Sequence, residues 1–196
     1  MSARRKPSKN KICPSSTKTP AKSYAEVVAR YLAEGKSIGD ADLGWYARQP
    51  DYATLLDQAV MSRTQDDKRH PHQRRIPERV LRAAHRKLSN ADLTSCESFD
   101  DLHDQIETAT KSIDGIGVLA VFDFACRIGA WMKKMPTKVY LHAGTRAGAR
   151  AMGLGRGRKT IEVKELPKEF HRLSGRHAED CLCVYADDLA RINGLS

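Results

Sequence analysis

The chain lacks any run of about 18 apolar residues, the length a membrane-spanning helix needs, so no span is expected. Its N-terminus is basic, but no apolar stretch follows, and no secretory leader is expected. Cysteines are few and show no pairing pattern: Cys13, Cys96, Cys126, Cys181 and Cys183, an odd number without a Cys-x-x-Cys. That argues against a disulfide framework and fits a reducing cytosol, so a cytoplasmic location is expected. Cys181 and Cys183 stand two apart with no matching second pair, which suits buried helical side chains better than a zinc site. Also missing is any convincing period-2 alternation; Val139 to Leu141 is too short to count as a strand.

Acidic residues are absent from positions 1–22, which hold Arg4, Arg5, Lys6, Lys9, Lys11, Lys18 and Lys22. The remainder holds 27 basic and 24 acidic side chains, so the formal charge of +10 belongs mainly to this arm. Rich in Lys, Ser, Pro and Thr, residues 1–22 can bury too little surface to offset their ordering entropy and are expected to be disordered. Such an arm can lie along a polyanion and release counterions, or act only as a solubilising leader.

What remains reads as helices. Ser23 with Glu26 fits a capping box, and Tyr24, Val27, Val28, Tyr31 and Leu32 recur at helical spacing, with Gly35 as the expected stop. Further helices are expected over Asp40–Ala47, Tyr52–Met61, from Glu78, over Phe99–Lys111, from Val118 to Ile128, over Ala143–Met152 and over His177–Ile192, with a polar loop from Thr64 to Pro77. Trp45, Tyr46 and Trp131 are expected as core anchors. The fold class is all-α: a single helical domain over 23–196, preceded by the arm.

The most informative segment is Ser112-Ile113-Asp114-Gly115-Ile116-Gly117, followed by the apolar helix from Val118. Glycines here permit positive φ and remove Cβ atoms, so backbone amides can approach a phosphate, and the following helix aims its N-terminus at the same anion. Ile113 and Ile116 pack the turn between its helices. Arg75, Arg79, Arg82 and Arg86 recur at three- and four-residue spacing, a stripe suited to phosphates or to solvent. Arg146, Arg156, Arg158 and Lys159 form a second basic region around Gly153, Gly155 and Gly157. His70-Pro71-His72 is a weak metal signal without further ligands, and no metal site is expected.

The order Ile113-Asp114-Gly115-Ile116-Gly117, Val139-Tyr140-Leu141-His142, Ala151-Met152-Gly153-Leu154 resembles the helix-hairpin-helix DNA glycosylase superfamily, which includes the endonuclease III type. Ser62-Arg63-Thr64-Gln65-Asp66-Asp67 faintly resembles that family's S-A-Q-x-T-D phrase. The resemblance spans about 52–190, with its specific part at 112–155. It implies a DNA-backbone-binding hairpin at Gly115, Ile116 and Gly117, and a monovalent cation held by the hairpin carbonyls. Two departures bear on chemistry. The family's catalytic aspartate position is Tyr140 here, and the lysine of bifunctional members is Leu119. The four-cysteine iron–sulfur loop of some members is also missing. A phenol cannot replace a carboxylate beside an oxocarbenium-like centre. Asp66, Asp67, Asp114, Asp123, Asp187 and Asp188 are the carboxylates that could substitute, and Asp123, set among Val121, Phe122 and Phe124, is the most conspicuous; Asp123 and Tyr140 are the catalytic candidates.

Three readings stay open on these grounds. One is a DNA-binding protein without ordinary glycosylase catalysis, contacting the backbone nonspecifically, with RNA as another partner. The second is a DNA repair glycosylase or lyase with a relocated carboxylate. The third is a helical protein-interaction module without nucleic-acid affinity.

Overall fold

The computed structural model describes residues 19–195. Most of the expected arm lies at 1–18, outside the described residues. Its last part does not follow the expectation: Ala21 is buried, and the Arg30 guanidinium donates to the Thr19 carbonyl, so packing begins ahead of Ser23.

The first helix, α1 (Tyr24–Arg30), starts where the sequence places it, with Ser23 Oγ accepting the Glu26 amide at 3.2 Å. The capping box is only half formed, because the Glu26 carboxylate accepts from the Lys22 amide instead. Gly35 does not stop the helix. The chain continues through one π-helical turn, Tyr31–Gly35, directly into α2 (Lys36–Ala47). A Cβ at residue 35 would lie 2.9 Å from the Tyr31 ring, so glycine is there to admit that ring. The Tyr31 ring is fully buried, and its hydroxyl meets Asp180 Oδ2 at 3.1 Å and His177 Nδ1 at 2.9 Å.

Next come α3 (Tyr52–Val60), capped by Asp51, α4 (Glu78–Ser89), and α5 (Phe99–Thr110), capped by Ser98. Each cap satisfies an otherwise orphaned amide, worth about 1 kcal/mol. In α4 the buried residues Leu81, Ala84 and Leu88 follow a single stripe. The central helix α6 (Val118–Met132) is buried on nearly every side, from Ala120 to Gly129. It packs against α2, α3 and α5.

After α6 the chain forms β1 (Lys138–Tyr140), α7 (Ala143–Ala151) and β2 (Thr160–Glu162). The two strands pair antiparallel, Val139 opposite Ile161, both fully buried. Val139 and Tyr140 therefore do lie in a strand, contrary to the expectation. Three-residue strands are too short for alternation to register, and their pairing is set across the intervening α7. The expected closing helix is also two helices, α8 (Gly175–Val184) and α9 (Ala186–Ile192), broken at Tyr185. Among the described residues no helix is long and apolar enough to cross a membrane. The described cysteines Cys96, Cys126, Cys181 and Cys183 form no disulfide, and all but Cys183 are buried.

The interior is divided into two hydrophobic clusters. One gathers Tyr46, α3, α4, α5 and α6, with Tyr140 at its edge. The other joins the N-terminal α1 and Tyr31 to β1, α7, β2, α8 and α9. The two ends of the chain thus complete one lobe, and the middle forms the other. Trp45 and Trp131 pack on the first cluster as expected, half-buried, with Trp131 Nε1 donating to the Gln49 carbonyl.

Candidate functional site

Two regions collect the chemistry: the turn between α5 and α6, and a polar seam where the lobes meet. At the turn, the Ile116 amide donates to the Ile113 carbonyl at 3.2 Å, and Gly115 adopts φ +97. That is a type II turn, whose third position demands positive φ and therefore glycine. Ile113 and Ile116 pack on the first core as expected. Gly115 faces inward, since a Cβ there would meet Val80 of α4 at 3.4 Å. Gly117, extended at φ −102, faces open space and caps α6 without a side chain. The first amides of α6 have no intrahelical acceptor by position, and they open onto this face. Beside them Val118 is 55% exposed.

The expected basic residues divide into two groups. Arg75, Arg79, Arg82 and Arg86 are exposed along α4 and its approach, and Val80 of α4 adjoins the turn. Arg82 is paired with Glu78, its Nε 2.9 Å from Oε1. Arg146 is used internally, donating to the Leu141 carbonyl at 2.8 Å and the Arg158 carbonyl at 2.9 Å. It ties the glycine-rich loop to the start of α7. Arg158 holds Glu165 with both nitrogens, at 2.6 and 2.8 Å, and Lys159 holds Glu107 of α5 at 2.9 Å. Arg75, Arg79, Arg86 and Arg156 are exposed and make no ion pair among the described residues.

Tyr140 does not line a site. It is buried among Phe99, His103 and Phe122, and its hydroxyl donates to Asp100 Oδ1. Burial, then the Asp100 carboxylate, push the phenol far above its ordinary range, which removes it as an acid or base.

Asp123 is placed quite differently. It points from α6 into the seam, about 8 Å along the helix axis from Val118 at the standard rise. The His72 ring nitrogen Nδ1 lies 3.1 Å from its Oδ2, the Gln73 amide donates to the same oxygen, and Arg127 Nη2 is 3.9 Å away. Burial opposes ionisation of Asp123, but the His72 hydrogen bond and the Arg127 charge outweigh it and hold the carboxyl well below the usual range. Arg127 is fully engaged: Nη1 donates to the Ala59 carbonyl and to Ser62 Oγ, each at 3.0 Å, and Nη2 to Gln73 Oε1 at 2.9 Å. His70 approaches Asp42 of α2, Nε2 to Oδ2 3.7 Å. Burial, reinforced by the Arg127 charge, lowers the His70 pKa to about 4, so its ring is neutral at pH 7.

Across the seam, His142 at the head of α7 hydrogen-bonds the Glu179 carboxylate, and Thr145 Oγ1 donates to that carboxylate at 2.6 Å. All three are buried. Burial alone would lower the His142 pKa, but the Glu179 hydrogen bond and charge raise it above the ordinary 6.5. A folded value above the unfolded one gives stability that is complete below about pH 6.5 and lost as pH rises through the folded pKa. The melting temperature is therefore expected to fall as pH rises from about 6.5, and Glu179→Gln should flatten that fall. An unchanged profile in the variant would remove this pair as its source.

The sequence places His70 and His72 together but gives no sign that Asp123, far along the chain, would join them. Asp42, Gln73 and Arg127 carried no signal at all. No family model, no curated protein and no solved structure matches the chain.

Proposed function

We propose that the protein binds DNA through its phosphate backbone, with the α5–α6 turn as the anchoring hairpin and no ordinary glycosylase chemistry. The observation that carries this reading is the turn itself. Gly115 takes the positive φ that closes it, and Gly117 leaves the head of α6 open to an incoming phosphate. The exposed Arg75, Arg79 and Arg86 on and beside neighbouring α4, with Arg156, add attraction that is independent of base sequence. Its resemblance to helix-hairpin-helix DNA glycosylases, read from the motifs, supports the same reading, and a hairpin cation would accompany it. RNA offers the same backbone chemistry.

The arginine stripe gives the test. In a salt series of duplex binding, Arg75→Ala with Arg79→Ala is expected to reduce the slope of log K against log salt by about 1 for each phosphate left without its arginine. An unchanged slope would remove α4 from the interface.

Asp123 favours a second reading, a glycosylase or lyase with a relocated carboxylate. It is ionised, paired with an imidazole and carried on the helix that begins at the hairpin. Release of a free base or cleavage at an abasic site, abolished by Asp123→Asn, would establish it.

A further inference from the structure

We infer that His70, His72 and Asp123 form a binding site for one divalent transition-metal ion of the zinc class. This goes beyond backbone binding and does not depend on it. A ring nitrogen of each histidine and a carboxylate oxygen of Asp123 lie within 4.8 Å of one another. One pair, His72 Nδ1 and Asp123 Oδ2, is hydrogen-bonded at 3.1 Å, and an ion would take the place of the proton between them. Ligands about 2.0–2.1 Å from zinc stand about 3.3 Å apart along a tetrahedral edge, so this pair is already at chelating separation. Two imidazoles and one carboxylate suit zinc and its neighbours, and leave a coordination position open.

The surroundings support the ligands. Gln73 donates to the Asp123 carboxylate while accepting from Arg127, which fixes the orientation of that carboxylate as outer-shell partners do. His70 is presented on a Pro71-initiated 3-10 turn, whose ring limits backbone freedom between the two imidazoles. Arg127 brings a positive charge near the site and is the ion-pair partner of Asp123 at 3.9 Å, while its hydrogen bonds go to Ala59, Ser62 and Gln73. His72 is about a third exposed, which gives an ion a route in.

A second grouping, His103, Asp104 and Glu107, serves as a control. There His103 is buried, and the Lys159 ammonium already holds Glu107 at 2.9 Å.

The test titrates the full chain, stripped with a chelator, with Zn2+ in competition with a chromophoric chelator. It also records the visible spectrum of bound Co2+. The expected result is one equivalent of Zn2+. His72→Gln and Asp123→Asn should each weaken it at least about tenfold, the lower bound for disturbing even an outer-shell group, while His103→Gln leaves it unchanged. Co2+ should give ligand-field bands that His72→Gln removes. If Asp123→Asn does not fold, His72→Gln, at the exposed edge of the site, decides alone. Failure of the folded wild type to take up Zn2+, or equal affinity in His72→Gln, would overturn the site. DNA binding with no Zn2+ uptake would leave the backbone reading standing and remove only this one.

Discussion

Replacing Arg127 with methionine is expected to destabilise the protein by about 3–5 kcal/mol, the range for removing one member of a buried, hydrogen-bonded charge pair. Its side chain spans three parts of the first lobe: α6, the C-terminal end of α3 through Ala59 and Ser62, and the 70–77 loop through Gln73. Its guanidinium also lies 5.4 Å from the centroid of the Tyr46 ring. Methionine fills the volume but donates nothing. Asp123 then loses its compensating cation, and Gln73 Oε1 loses its donor. Ser62, held at φ +56, loses the hydrogen bond that helps to keep it in a conformation disfavoured for a residue with a side chain. Urea unfolding measures the effect. A loss below about 1 kcal/mol would mean that water or rearrangement replaces the network, because a buried unpaired partner costs more than that.

Gly117→Ala should weaken duplex DNA binding by about 10- to 100-fold, equivalent to losing hydrogen bonds to a charged group worth about 1.5–3 kcal/mol. This substitution separates binding from folding. At φ −102 and ψ 176 residue 117 is extended backbone that alanine adopts freely, and its Cβ would meet no atom within 4 Å. The melting temperature should therefore hardly move. The added methyl would stand on the open face that a phosphate would approach in the proposed binding mode. Gly115→Ala is a poorer probe, because φ +97 is strained for alanine and Val80 is already close. A weaker affinity there would mix folding with binding. Unchanged affinity in a well-folded Gly117→Ala protein would take the hairpin out of the interface.

Local chemistry made part of this structure legible in the sequence. Ser23 announces a helix start because a capping oxygen acts within three residues. The Ile113–Gly117 phrase announces its turn because positive φ is a property of glycine itself. Features decided by distant partners were not legible. Gly35 looks like a stop signal, yet its role is to admit the Tyr31 ring, whose hydroxyl answers to His177 and Asp180 far along the chain. The β1–β2 pair is set by Val139 meeting Ile161, not by any pattern within three residues. The same holds for the site. The arginine stripe of α4 could be read from its spacing, but the capture of Arg146 by backbone carbonyls and of Lys159 by Glu107 could not. Asp123 was conspicuous as a carboxylate among apolar neighbours. Its partners His72, Gln73 and Arg127 appeared only once the loop was seen to fold against α6.

The direct measurement is duplex DNA affinity over a salt series for a chain lacking residues 1–18, side by side with the same chain carrying Gly117→Ala. Removing those residues takes away six of the seven basic side chains of the arm while keeping the buried Ala21. Binding is expected to be retained with a steep negative salt slope and to be weakened about tenfold or more by the single methyl. Loss of all affinity with the arm, or equal affinity with and without the methyl, would contradict binding through the hairpin.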